Sequence, residues 1–165
     1  LQTIGKYTNS KKEWLKYAEV ALKSCYGYEW QGDNLLIARE NILLTINDFY
    51  QDFCMKKLKL KSKHTLNDEQ LEYFAEIIAW NFWQMDGLKY VLPMSCKQTI
   101  EDKSLFGIPK NQMSILPPEK VEKIRVECKG CRERDPFSHN GKYAIIKDWE
   151  TGKKIRFVNI INGNS

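Results

Sequence analysis

The apolar stripe from about Asn34 to Lys57 constrains this chain more than any other feature. Leu35, Ala38, Ile42, Ile46, Phe49 and Phe53 recur at helical spacing, widened by Leu43 and Tyr50. A long amphipathic helix must bury such a stripe against other elements, so its neighbours set the fold class. Before it, Trp14, Leu15, Ala18, Ala21 and Leu22 predict a helix over 11–24, with Asn9 or Ser10 as N-cap. Cys25-Tyr26-Gly27-Tyr28-Glu29-Trp30 is short, aromatic-rich and strand-like, and Gly32-Asp33 then breaks the chain and offers Asp33 as the next cap. After the long helix, Asn67 or Asp68 caps a shorter one leading to Ala75. Ile77-Ile78-Ala79-Trp80-Asn81-Phe82 reads as a buried strand, although periodicity alone does not separate it from a helix. Helix, strand, helix, helix, strand is the order expected inside a parallel α/β sheet.

The second half reads differently. From Pro93 to Pro118 no period is sustained, and Gly107, Pro109, Pro117 and Pro118 punctuate the segment. A hairpin is expected at the end, from Tyr143 to Trp149 and from Ile155 to Ile161 around a turn at Glu150-Thr151-Gly152-Lys153. The organisation expected is therefore an α/β core over 1–92 and an irregular segment with a terminal hairpin over 93–165.

Composition excludes several classes. Eight Tyr, seven Phe and five Trp supply ample core material, which argues against global disorder. No apolar run approaches the roughly 18–20 residues that span a bilayer, and Leu1-Gln2-Thr3-Ile4-Gly5 lacks the plan of a signal peptide. A cytoplasmic protein without a membrane partner is expected, and the absence of an initiator Met points to sequence upstream. The net charge of +5 permits a polyanionic partner without demanding one. Five cysteines form an odd set that reads as reduced thiols or metal ligands and not as a disulfide framework.

Cys128-x-x-Cys131 is the strongest chemical signal. Two thiolates on a tight Gly turn can hold one Zn²⁺, which then needs two more ligands. His139 follows closely and Cys96 is available from the irregular segment, so Cys96, Cys128, Cys131 and His139 form the candidate site, with zinc the expected metal. Such a site would cross-link a region poor in secondary structure. The alternative is a pair of free thiols in a loop; redox chemistry lacks thioredoxin-like surroundings. The run Lys56-Lys57-Leu58-Lys59-Leu60-Lys61-Ser62-Lys63-His64 nominates Lys57, Lys59, Lys61 and Lys63 as phosphate contacts, the alternative being the solvated end of a helix. Trp80, Phe82 and Trp83 read as core. Neither His lies in a recognisable nucleophile motif.

The segment Cys25 to Trp30, with Asp33-Asn34 and a long helix carrying Arg39 and Asn41, resembles a stretch of restriction-modification DNA methyltransferases of the adenine type. A second block, Ile77 to Leu88, resembles the third-strand motif of the same enzymes, an apolar strand followed by Asp-Gly-Leu. The resemblance implies a partial Rossmann-like core that binds S-adenosylmethionine. It casts Glu29 as the ligand of the ribose hydroxyls and Asp86 as the ligand of the adenine amine. It also implies methyl transfer to adenine in DNA, with DNA or a nucleic-acid-containing complex as partner. Two departures matter. Upstream of Lys11 only Gly5 stands where a Gly-rich turn belongs, and the catalytic Asn/Asp-Pro-Pro-Tyr/Phe tetrapeptide is absent. Asp135-Pro136-Phe137 has one Pro and charged flanks, and reads as non-catalytic. The chain is thus expected to be a fragment or subunit that is not competent alone, completed by a complementary chain. The alternative is an inactive remnant serving as a binding or inhibitor module, for example a phage anti-defence protein, or a zinc-dependent DNA-reading module.

Overall fold

In the computed structural model, residues 1–62, 64–103, 122–161 and 163 are described. A short helix α1 (Gln2–Tyr7) precedes α2 (Lys11–Lys23). Ser10 caps α2 by accepting the Glu13 amide at 3.2 Å, and the Glu13 carboxylate accepts the Asn9 amide at 2.8 Å. Strand β1 (Gly27–Glu29) leads into α3 (Gly32–Asp52). Gln31 and not Asp33 is the N-cap of α3; Asp33 lies in the first turn, where a carboxylate suits the helix dipole. The expected extension to Lys57 is made by a widened π-helical turn, Phe53–Lys57, which buries Phe53 and Cys54. Then α4 (Asp68–Asn81) starts on a capping box between Asn67 and Gln70. The main core is closed by Trp14, Ala18 and Leu22 of α2, Ile46 and Tyr50 of α3, and Phe74, Ile77 and Ile78 of α4.

The predicted strand at Ile77–Phe82 is corrected: α4 continues through Asn81, and strand β2 is Phe82–Gln84. Phe74, Ile77, Ile78 and Asn81 are all buried, at the spacing of one helical face, while Ala79 is exposed. Arg39 of α3 holds the junction, donating from Nε to the Phe82 carbonyl at 2.8 Å and from Nη2 to the Ala79 carbonyl at 3.0 Å. These are carbonyls that the end of a helix leaves without partners. Strand β2 pairs parallel with β1, Tyr28 opposite Trp83 and Glu29 opposite Gln84. The expected element order stands, with α3 and α4 as the crossover. Among the described residues no further strand joins the pair, so the sheet falls short of a Rossmann-like core.

The remaining elements are β3 (Thr99–Lys103), β4 (Glu122–Val126), α5 (Lys129–Glu133), β5 (Ile145–Lys147), β6 (Lys154–Arg156) and α6 (Phe157–Ile161). Strands β3 and β4 pair antiparallel, a structure unanticipated in the segment read as irregular; residues 104–121 of that segment lie outside the described residues. The expected hairpin is β5–β6, with Gly152 at φ +70° in its turn, but its second strand ends at Arg156 and the chain turns helical as α6. A second core gathers Trp83 and Met85 against Ala144 and Ile146, with Tyr90, Ile155 and Phe157 around them. Fully buried Asn81 ties the parts together: its Nδ2 donates to the Leu22 carbonyl at 2.7 Å, and its Oδ1 accepts Trp149 Nε1 at 2.7 Å. No described helix is long and apolar enough to cross a membrane.

Candidate metal centre

Three short segments converge to build the site. Cys128 is the N-cap residue of α5 and Cys131 lies in its first turn, so the Cys-x-x-Cys spacing is presented by a helix start. Arg134, at φ 55°, ends α5 in the left-handed region. Asp135 then accepts the Phe137 amide at 3.0 Å and also the Ser138 hydroxyl. The Gly130 amide donates to the Ser138 carbonyl at 3.0 Å. Asp135-Pro136-Phe137 is therefore the turn that folds His139 back onto the two cysteines. Tyr143 fixes the returning strand: its hydroxyl accepts the His139 amide at 3.0 Å and donates to the Pro136 carbonyl at 3.1 Å.

Cys96 comes from the segment after β2. Val91 bridges Tyr143 in antiparallel fashion, and the Leu92 amide donates to the Lys142 carbonyl at 2.7 Å. Asn140 clamps the residue after Cys96 in both directions, accepting the Lys97 amide at 2.9 Å and donating to the Lys97 carbonyl at 2.8 Å. Ser95 Oγ accepts the Lys142 amide at 3.0 Å and donates to the Leu92 carbonyl at 2.7 Å.

The result is a compact donor set. One ligand atom from each of Cys96, Cys128, Cys131 and His139 lies within 4.8 Å of the others. Nδ1 of His139 stands 3.5 Å from the sulfurs of Cys96 and Cys128 and 3.7 Å from that of Cys131. Cys128 and His139 are buried, Cys96 and Cys131 half-buried. Two glycines make the approach possible. A Cβ on Gly130 would lie 2.6 Å from the His139 amide nitrogen and 2.7 Å from its ring; one on Gly141 would lie 2.6 Å from Ser95 Oγ and 3.0 Å from Cys96 Sγ.

Three thiols so close cannot all ionise without a cation. Burial pushes Cys128 up, but the Asn140 and Cys131 amides and His139 outweigh it, and the thiol falls to about 6. Burial, with the sulfurs of Cys128 and Cys131 beside it, pushes Cys96 up to about 12, and burial raises Cys131 as well. One thiolate thus forms first and suppresses the others. Lys89 is the nearby cation, raised chiefly by the charge of Cys131. Three sulfurs and one imidazole suit a borderline-soft divalent ion, and the Cys₃His set could hold a metal ion such as zinc.

The other nominated residues contribute no ligand atom to this cluster, although Lys89 links Asp86 to it. Glu29 and Asp86 sit together at the C-terminal end of the parallel pair, where the Met85 amide donates to the Glu29 carbonyl at 3.0 Å. Each carboxylate serves its own turn. Glu29 Oε1 accepts the amides of Trp30 and Gln31 at 2.8 and 3.1 Å, and Asp86 Oδ1 accepts those of Leu88 and Lys89 at 3.0 and 3.3 Å. Asp86 is 5% exposed and lies 3.9 Å from Lys89 Nζ. Of the basic run, Lys57 donates to the Lys6 carbonyl at 3.2 Å, Lys59 and Lys61 are exposed, and Lys63 lies outside the described residues. Sequence reasoning placed Gly130 in the tight turn but missed Ser95, Asn140, Gly141 and Tyr143; for the first three the signal was the small and amide residues flanking the ligands. The chain matches no family model, no curated protein and no solved structure.

Proposed function

We propose that Cys96, Cys128, Cys131 and His139 hold one structural Zn²⁺ that locks the segments around Cys96 and His139 against α5. The observation that supports this is the convergence of four ligand atoms within 4.8 Å from three segments with little secondary structure of their own. A closed four-ligand set leaves no open position, so the ion would act as a cross-link and not as a Lewis acid. The purified protein should carry about one zinc per chain, and Cys128→Ser should lose it and loosen residues 94–103 and 122–142 while the α2–α3–α4 core stays folded. Metal-free protein with an unchanged melting curve in chelator would sink this reading.

A second reading concerns the other half. We propose that β1, α3, α4 and β2 are part of an S-adenosylmethionine-binding domain of a DNA adenine methyltransferase, contributing Glu29 and Asp86 and lacking the means to methylate alone. Its support is the parallel pair, which puts both carboxylates at the strand ends where open α/β sheets bind nucleotides. In the remnant alternative, the same unit has lost the cofactor and serves as a binding module. Calorimetric titration with S-adenosylmethionine, on parent and Glu29→Ala, separates the two. Binding abolished by the substitution favours the cofactor reading, and no heat favours the remnant.

A further inference from the structure

On the face of the helical half lies an open cleft of about 480 Å³ between α2 and α4. Its rim carries Lys11, Lys12 and Lys16, and its apolar wall includes Leu15, Tyr73 and Phe74. Lys12 and Lys16 are one helical turn apart, so their ammonium groups project on the same side of α2. Among the described residues no carboxylate lies within ion-pair distance of any of the three lysines. Glu19, the acidic residue of the lining, is already engaged by Lys23 at 2.5 Å and by the Tyr73 hydroxyl at 2.7 Å. The charge of the rim is therefore uncompensated from within the fold.

The basic rim does not end at the cleft. Lys11 Nζ lies 3.3 Å from His64 Nδ1, and His64 Nε2 lies 3.1 Å from Ser62 Oγ, which joins the start of α2 to the loop carrying exposed Lys59 and Lys61. Lys59, at φ 53°, turns that loop sharply, and the Leu60 amide donates to the Cys54 carbonyl at 3.1 Å. Cations thus line a path that enters a cleft walled by aliphatic and aromatic carbon. That pairing of a basic track with an aromatic surface is what binds single-stranded nucleic acid without reading sequence.

We propose that the α2–α4 cleft and the adjoining Lys59–Lys61 loop form a binding track for single-stranded nucleic acid. One nucleotide enters the cleft with its base against Leu15 and Tyr73, which is 41% exposed, Phe74 being buried in the core at the back of the cleft. Lys11, Lys12 and Lys16 take its flanking phosphates, and the strand continues past His64. An acidic protein segment would satisfy the lysines but leave the aromatic wall without a planar partner. The inference concerns a different face from the metal cluster and stands whether or not zinc or S-adenosylmethionine is bound.

The test is fluorescence anisotropy of the full chain with a labelled short single-stranded oligonucleotide over a salt series. The Lys12→Gln/Lys16→Gln variant should weaken binding about tenfold and lower the log–log salt slope by roughly 0.7 per ammonium removed. Lys142→Gln/Lys153→Gln, the same charge change on the C-terminal half, should bind like the parent. Lys12→Arg/Lys16→Arg, which keeps the charge, should also bind like the parent and guards against a folding artefact. Inorganic polyphosphate should compete less well than an unlabelled oligonucleotide of equal charge. Equal losses in the two Gln pairs, or equal competition by polyphosphate, would reduce the track to diffuse charge and overturn the proposal. A mononucleotide that binds as tightly as the strand would assign the cleft to free nucleotides and overturn it too.

Discussion

Replacing Gly130 with Ala tests whether the cluster geometry is as tightly built as its contacts imply. The added Cβ would sit 2.6 Å from the His139 amide nitrogen, 2.7 Å from its Cγ and 2.8 Å from the Asp135 carbonyl oxygen. None of these is the loose end of a flexible side chain: two are backbone atoms, and the third belongs to a ring facing three sulfurs at 3.5–3.7 Å. Relief requires the 139 segment to shift by several tenths of an ångström, more than the roughly 0.2 Å tolerance of metal–ligand distances. Overpacking of this kind costs about 1–3 kcal/mol. If it falls on the ligated state, zinc affinity drops about five- to 150-fold, since about 1.4 kcal/mol is tenfold. Competition against a chromophoric chelator measures this directly. Gly152→Ala is the control: nothing lies within 4 Å of its Cβ, but φ is +70°, so about 1 kcal/mol of hairpin stability should be lost with zinc affinity unchanged. A Gly130→Ala protein that holds zinc as tightly as the parent would refute the argument.

Three other outcomes follow from the same contacts. Asn140→Ala removes both hydrogen bonds to Lys97 and should weaken zinc about tenfold, as losses of outer-shell partners do, with far-ultraviolet circular dichroism unchanged. Zinc binding near neutral pH should expel about two protons, from Cys96 and Cys131, because Cys128, at about 6, is already ionised. Below that value Cys128 adds a third, so affinity falls more steeply in acid; calorimetry in buffers of different ionisation enthalpy counts the protons. Asn81→Ala leaves half-buried Trp149 Nε1 without its acceptor and takes one of two donors from the Leu22 carbonyl, which keeps the Cys25 amide at 3.1 Å, so it should cost about 2 kcal/mol in urea unfolding.

How much of this was legible in the sequence differs from element to element. The three helices around the main core announced themselves because their apolar residues fall on one face; α2 and α4 also carry explicit caps at Ser10 and Asn67, whereas the α3 cap was misplaced because Gln31 makes no side-chain cap bond. The boundary between α4 and β2 did not, because an unbroken apolar run carries no phase; burial of Asn81 and the Arg39 contact to Phe82 decide it, and both are tertiary. Strands β3 and β4 had no signature, since Thr-Ile-Glu-Asp-Lys and Glu-Lys-Ile-Arg-Val offer no apolar face, and Ile100 and Ile124 are exposed. The metal cluster was readable at the level of ligand type, from Cys-x-x-Cys and a nearby His. Its supporting residues were not, because Asn140 and Gly141 acquire their roles only when Val91 meets Tyr143 and draws the Cys96 segment alongside.

That same ladder connects the metal cluster to the parallel pair. From β2 the chain enters the Asp86 turn, where the Asp86 amide donates to the Val91 carbonyl at 2.8 Å and the Tyr90 amide to the Asp86 carbonyl at 2.8 Å. Val91 then bridges Tyr143, the Ala144 amide donates to the Tyr90 carbonyl at 3.1 Å, and Leu92 continues the ladder toward Ser95 and Cys96. Every step from Asp86 to the cluster is a backbone hydrogen bond, so slack at Cys96 reaches Asp86 without crossing a flexible linker. Removing zinc should therefore raise hydrogen exchange at Leu92 and Ala144 and then at Tyr90 and Asp86, while amides of α2, α3 and α4, held by the main core, keep their protection. Loss of protection in the helices first would mean that the cluster stabilises the whole chain instead. Unchanged exchange at Tyr90 and Asp86 would mean that the ladder does not transmit the loosening, and that the two halves are uncoupled.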